Sequence, residues 1–583
     1  MKRMMRRREF LLSSARYLGA GAVTLAALPS WNRSFAAESE SLPTSAIALN
    51  QVGYLRTLPK LASVNVRAAS FVVRSNLHNT IAYRGALTSP AHDAASGDTL
   101  QTADFSALTT PGDYIVELDS GERSAPFHVA SNVYRDALRL TTRAFYGQRC
   151  GCNVNLGNGY AHPPCHLSAA YHSSSGNSGP LHNHGGWHDA GDYGRYIVNS
   201  GISTGTLLWA WELYQSTLSK LPLQIPESGG KVPDFLAEIR WNLDWMLTLQ
   251  DQDGGVWHKQ TSLQFCPFIM PQDDTLTSYV IGTGSAPYKN TSATADFAAV
   301  MAIAARCYSS SDASYAQRCL AAARKAWNWC SHNPDVTFKN PPDVATGEYG
   351  EDDCSDEMLW ASAELWRTTD DAEYQKAFVA AAGTPDSIKI TAPDWGSLSS
   401  LAYWTYVFAS RKDTAGLQSA IQEATIKAAE ALIANSNNNG YGNTLAESDY
   451  VWGSNGVAGN QSMVLLIANQ FHANGIFIDA ALNNLHYLLG RNCFGISWVT
   501  QLGAHPFQHP HHRPSAADHI AEPWPGLLSG GPNRHPADPV AKTLPPGPPM
   551  RMYIDDQGAY SMNEIAINWN APLVFLLAAA NSL

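Results

Sequence analysis

PDFLAEIRWNLDWMLTLQ, residues 233 to 250, decides the fold class. Leu236, Ile239, Leu243, Met246 and Leu247 recur at the three- and four-residue spacing of one helical face, and Pro233 stands where a first turn tolerates it. Outward from this window the same periodicity returns near 135–149, 200–216, 293–308, 314–330, 355–368, 371–382, 396–410, 414–436, 457–472, 475–490 and 563–581. Twelve helices with no strand runs between them predict an all-α barrel of six hairpins, an (α/α)6 barrel, over residues 132–583.

Residues 43–130 read differently. ALNQVGYL, LASVNV, FVVRS, PGDYIVEL and APFHVA are β-forming runs separated by Pro, Gly, Ser and Asp turns, which predicts a small all-β, immunoglobulin-like sandwich ahead of the barrel. Late in the barrel, twelve prolines between His505 and Pro549 exclude regular helix, and a loop of this length before Glu564 is read as a wall of a cleft.

The first 36 residues combine a basic start, an apolar stretch from about Tyr17 to Leu28 and small residues at Ser34 and Ala36, an export signal. Arg7, Arg8, Phe10 and Leu11 give the R-R-x-F-L pattern of a twin-arginine signal, which sends folded protein to the periplasm or outside the cell. An ordinary basic leader or an uncleaved anchor is the competing reading. Removing residues 1–36 takes away seven basic residues and one acid, six units of positive charge from −11, leaving about −17. Such a surface disfavours nucleic acid and anionic membranes as partners. No later segment is long and apolar enough to span a bilayer after signal removal. The nine cysteines are odd in number and scattered, a poor disulfide framework.

The chemistry concentrates in HGGWHDAGDYGRY, residues 184 to 196. Asp189 and Asp192 lie three apart among glycines, so both carboxylates can face one water, as a general base requires. Glu564, in YIDDQGAYSMNEIAINWNAP, is a carboxyl among apolar and aromatic residues, the setting that keeps a proton on an acid. Water activation joined to leaving-group protonation is glycosidic hydrolysis.

Together these segments resemble glycoside hydrolase family 9, the inverting cellulases with an (α/α)6 barrel, in the subgroup with an N-terminal immunoglobulin-like module. The likeness rests on ALNQVGYL, DFSALTTPGDYIVEL, FYGQRCG, HGGWHDAGDYGRY, VWGSNG, SWVTQLGAHPFQHPHHRP and YIDDQGAYSMNEIAINWNA, in the family's order. His505 departs from the Asn, Lys or Arg usual ahead of the Pro-His-x-Arg element. The resemblance implies Asp192 as base, Asp189 as its partner in holding the water, and Glu564 as acid. It matches Asp555 to a supporting acidic position and His511 and Arg513 to residues that contact sugar, with His512 pointing away. Trp452, Tyr560 and Trp569 become stacking candidates.

Two metal sets are expected. Cys150, Cys165, His166 and His188 supply the two thiols and two imidazoles of a tetrahedral zinc, as some members of the family do, with Cys152 a competing ligand. Asp352, Asp353, Asp356 and Glu357, with Asp394 as a further ligand, supply oxygens for calcium, although Ser355 and the same acids also suit a helix start. The implied activity is endo-hydrolysis of β-1,4-glucan or cello-oligosaccharides. The alternatives are an exo-acting β-glucosidase or exo-glucosaminidase, and a non-catalytic carbohydrate-binding protein. No organic cofactor is expected, and the sequence leaves the oligomeric state open.

Overall fold

Twelve long helices carry the chain from residue 135 to residue 580 among the described residues. They are α1 (Arg135–Gly147), α2 (Ile197–Leu218), α3 (Asp234–Thr248), α4 (Thr291–Tyr308), α5 (Ala313–His332), α6 (Ser355–Thr369), α7 (Ala372–Ala382), α8 (Ser399–Phe408), α9 (Leu417–Asn437), α10 (Ser454–Phe471), α11 (Gly475–Leu488) and α12 (Ile567–Ala580). This computed structural model describes residues 42, 44–181, 183–411, 413 and 416–583; the export segment read at 1–36 lies outside them.

The even-numbered helices form the inside of the barrel. α2 packs on α4, α4 on α6 and α6 on α8, while α10 packs on α12 and α12 closes back onto α2. Each odd-numbered helix lies outside against an even-numbered neighbour. Sequence explains the division, because a helix apolar on all sides must sit within a core. Every residue of α12 is buried, whereas outer α3 buries Leu236, Ile239, Leu243 and Met246 and leaves Leu247 half-buried. Each such aliphatic side chain contributes about 1.5–3 kcal/mol on burial.

Nine short strands between Ile47 and Val129 make the sandwich, one sheet of four and one of five, around a core that includes Tyr54, Phe71, Phe105 and Phe127. The module is tied to the barrel by polar contacts. Asn50 is central: its Oδ1 accepts from the amides of Val52 and Gly53, which turns its Nδ2 toward the Tyr134 hydroxyl at 3.1 Å and His486 Nδ1 at 3.0 Å. Ser63 Oγ donates to Gly440 O and accepts from Arg491 Nε.

Two expectations are corrected. Strands do lie between helices: Val154–Gly157 pairs with Tyr160–His162, and five pieces between Ala169 and Ile281 form one sheet over the barrel mouth. Each has only two to four residues, too few to show alternation in sequence. The helix read at 563–581 is also broken. A single turn, Tyr560–Asn563, ends at Glu564, whose backbone is extended (φ −59°, ψ 144°), and α12 starts at Ile567. The break exists because this stretch pairs sideways, His511 with Glu564 and Ser529 with Ile565.

Candidate active site

Three segments distant in sequence are hydrogen-bonded into one floor. Gly191 O accepts from the Arg513 amide at 3.1 Å and from its Nη1 at 2.8 Å. Asp189 O accepts from the Ile567 amide, and Asn563 O from the His511 amide, each at 2.9 Å. The proline-rich loop therefore joins the 189–192 turn to the Glu564 segment. Gln148 adds a further tie: its Nε2 donates to the carbonyls of His188 and Ala190, while its Oε1 accepts from His512. His512 is buried and faces Gln148, away from the cleft.

Asp189 is 2 % exposed and firmly held, with Oδ1 accepting from Asn199 at 2.5 Å and Oδ2 from the Tyr349 hydroxyl at 2.6 Å. Asp192 is 8 % exposed and held more lightly. Its Oδ2 accepts from the Gly194 amide at 3.1 Å and the Tyr196 hydroxyl at 3.3 Å, and Oδ1 receives no hydrogen bond from the described residues. Glu564 is also 8 % exposed, and its Oε2 accepts from the Trp452 indole at 3.1 Å. Trp452 thus meets the carboxyl directly, besides offering a ring face 5.6 Å from Tyr560.

The remaining expected site residues divide. His511 lies between Phe268 and Tyr560 and donates from Nδ1 to Gln557 O, so Nε2 carries the lone pair. Burial pushes its imidazolium down to about 4, and it is neutral at pH 7. Arg513 was expected at the sugar, but its guanidinium is directed at the carbonyls of Cys266 and Gly191, where it fixes the turn. Asp555 accepts from the amides of Gln508 and His509 and so shapes the loop. Trp569, expected to stack on sugar, is 6 % exposed and lies against Gly453 and Gly456, where any Cβ would strike its ring. It walls a cavity of about 430 Å3 that also includes Asp394, Trp395, Asp449, Trp452, Asn533 and His535. A cavity of this size, with two partly exposed indoles and several polar groups, suits a sugar ring.

Behind the turn, Cys150, Cys165, His166 and His188 bring one ligand atom each within 4.8 Å of one another. Cys165 Sγ is 3.9 Å from His188 Nε2. His166 engages Asp274 through Nε2 at 3.2 Å, whereas its buried Nδ1 has no hydrogen-bond partner. One nitrogen held by a carboxylate and the other left open is the arrangement of a metal-ligating histidine, so these residues fit a structural zinc. Cys152 lies outside the set and is half-buried.

The acidic expectation is corrected. Asp352 and Asp353 are exposed and outside the cluster; Asp353 accepts from the Ser355 amide at the start of α6. Asp394 lies on the cavity instead. The residues that converge are Glu351, Asp356 and Glu357, all buried. Asp296 on α4 faces them: burial, then Glu351 and Asp356, push its carboxyl well above the usual range, and neither of its oxygens has a hydrogen-bond partner. Buried, like-charged oxygens of this kind fit a hard cation.

Comparison with known sequences agrees with this geometry. The profile of glycosyl hydrolase family 9 matches residues 134–577, and that of the cellulase N-terminal ig-like domain matches residues 43–123. The chain belongs to glycosyl hydrolase family 9. The family 9 hydrolase is 38 % identical over 543 residues to Endoglucanase D of Acetivibrio thermocellus, covering 92 % of this chain and 83 % of that one. It is 34 % identical to a cellodextrinase of Butyrivibrio fibrisolvens, covering 91 % and 99 % respectively. A metagenome-derived family 9 endoglucanase of known structure superposes with a TM-score of 0.86 at 34 % identity, over 92 % of this chain and 99 % of that one.

Several residues that hold the hydrolase's site escaped the sequence reading. Tyr196 stood inside the quoted motif and Asn199 one turn beyond it, both readable as neighbours. Gln148 lay inside the quoted FYGQRCG stretch without being singled out, whereas Tyr349, Asp274 and Asp296 carried no local signal, because only the barrel brings them near.

Proposed function

We propose that this family 9 hydrolase is an exported endo-β-1,4-glucanase that cleaves cellulose-like glucans with inversion. One observation carries the reading: the Asp189–Asp192 turn and the Glu564 segment are hydrogen-bonded to each other and to the same loop, which brings the three carboxyl-bearing positions together from distant parts of the chain. Asp192, with Oδ1 open, takes the proton of a water as it attacks the anomeric carbon. Asp189, anchored by Asn199 and Tyr349, holds that water in line. Glu564 protonates the leaving oxygen. Inversion calls for roughly 6.5–9.5 Å between acid and base, room for the water. Neutral His511 offers a lone pair to a sugar hydroxyl, and Trp395 and Trp452 offer ring faces.

The likeness to Endoglucanase D of Acetivibrio thermocellus and to the metagenome-derived endoglucanase favours endo action on a glucan. The signal read at residues 1–36 supports export, and the metal sets support a structural zinc behind the turn and a calcium among Asp296, Glu351, Asp356 and Glu357. Exo action draws on a different observation: Asn533 and His535 of the proline-rich loop line the cavity, where they could close one end of the cleft.

Digestion of carboxymethylcellulose and graded cello-oligosaccharides separates these readings. Endo action lowers viscosity early and yields mixed oligomers, whereas release of monomer alone would overturn it. The new reducing end should be the α-anomer by NMR. Asp192→Asn and Glu564→Gln should each lower kcat by about 10²-fold or more; wild-type turnover in Asp192→Asn would remove the assigned base.

A further inference from the structure

Lys259 is a fully buried ammonium that the chemistry above does not use. It begins the strand Lys259–Thr261, which pairs with Arg195–Tyr196 in register Tyr196 to Lys259. Its Nζ donates to Asn340 Oδ1 at 2.6 Å, to Gly347 O at 2.7 Å and to Thr346 Oγ1 at 3.2 Å, and it lies 5.5 Å from the centroid of the Tyr196 ring. Tyr196 stands between this cation and the site. Its hydroxyl donates to Asp192 Oδ2 and accepts from the Gly347 amide at 3.2 Å. The same loop reaches Asp189 through Tyr349, whose ring is 4.9 Å from that of Tyr196.

We propose that Lys259 is a positioning residue for the base: its ammonium clamps the Thr346–Gly347 loop so that Tyr196 holds Asp192, and its charge favours the ionised carboxylate. Geometry gives the reason for a cation there. The four acceptors around Nζ include the backbone carbonyls of Thr346 and Gly347, and the nearest ring turns its hydroxyl toward Asp192. The charged and titratable groups facing Lys259 are Glu348, Asp192, neighbouring His258 and Tyr196. Those facing Asp192 are Asp189 on the same turn, Lys259, Tyr196, His511 and Cys266, with Arg513 on the adjoining Gly191 carbonyl. Arg513 and Lys259 are the two cations in that set. Arg513 is anchored on two carbonyls beside the turn; Lys259 works through the tyrosine that touches the base. Burial lowers the Lys259 ammonium to about 7, with Glu348 and Asp192 opposing that fall, so its charge depends on those two carboxylates.

The role rests on Asp192 being the base, and the experiment separates the two. The pH dependence of kcat/KM on a soluble cello-oligosaccharide is measured for wild type, Lys259→Met, Lys259→Arg and Asn340→Asp, with thermal unfolding of each. A missing or cancelled cation makes the base easier to protonate, so the acidic limb should move up by about 0.5 pH unit or more in Lys259→Met. It should move the same way in Asn340→Asp, which keeps the lysine but sets an anion against it. Lys259→Met should also lower kcat about 10-fold with KM changed less than about twofold, and Lys259→Arg should return the limb toward wild type. If Lys259→Met fails to fold, Asn340→Asp decides. An immobile acidic limb in every variant that folds, whatever happens to melting temperature, overturns the positioning role. Wild-type turnover in Asp192→Asn would instead overturn the base assignment beneath it.

Discussion

Gly191→Ala probes the contact on which the site depends. A Cβ at position 191 would lie 1.8 Å from the His511 carbonyl oxygen, whereas real Cβ atoms essentially never come closer than 3.0 Å. The turn and the loop must therefore separate by about 1.2 Å, and the obstacle is backbone, not a side chain that can swing aside. That movement pulls on both Arg513 bonds to Gly191 O and on His511, which pairs with the Glu564 segment. A displacement near 1 Å at a reacting geometry lowers rate by about 10²-fold, equivalent to about 2.7 kcal/mol of barrier. Strain of this kind costs about 1–3 kcal/mol of stability. Gly475→Ala is the control. Gly475 begins α11, is exposed and has nothing within 4 Å of its ideal Cβ, so alanine there should be neutral or stabilise by about 0.4–1 kcal/mol. The assay is kcat and KM on a chromogenic cello-oligosaccharide, read beside thermal unfolding. A Gly191→Ala enzyme that melts lower yet turns over within twofold of wild type would refute the reasoning, because the close approach would then matter only for packing.

Two further outcomes follow from burial and from the donor set. His486 and His258 are each lowered to about 3 by burial, so between pH 6.5 and about 3 the unfolded chain binds protons that the folded chain refuses. Stability from these groups is present above pH 6.5 and falls by up to about 1.4 kcal/mol per unit for each as pH drops; His486→Leu should flatten the slope of chemical-denaturation stability against pH. An unchanged slope would mean that the Asn50–His486 contact does not survive in solution. For zinc, metal analysis of the purified protein should find about one equivalent, lowered in Cys165→Ser. Asp274→Asn should weaken zinc retention against a competing chelator by about 10–100-fold, and equal retention would remove Asp274 from the site.

Much of the fold was legible because helical periodicity survives in a single strand of text. The window at 233–250 and its eleven counterparts marked the helices, since a barrel of hairpins buries one face of each outer helix and most of each inner one, in α12 every residue. The five-stranded sheet over the barrel mouth was not legible, because its pieces are two to four residues long and are held by partners far along the chain. The acidic stretch after Gly350 shows the same division: its five carboxyls look equivalent, yet Asp352 and Asp353 are exposed while Asp356 and Glu357 turn inward to meet Glu351.

By itself the sequence determined the barrel, the sandwich before it and the carboxylates at 189, 192 and 564, because periodicity and side-chain chemistry are local properties. Only the tertiary structure decided what each carboxylate touches. Glu564 leaves the helical path to pair with His511 and meet Trp452, Asp189 is gripped by a tyrosine from another hairpin, and Arg513 turns from the expected sugar to the backbone of the turn. Hydrogen bonds form between groups that are near in space, and closing the barrel is what brings these distant segments together.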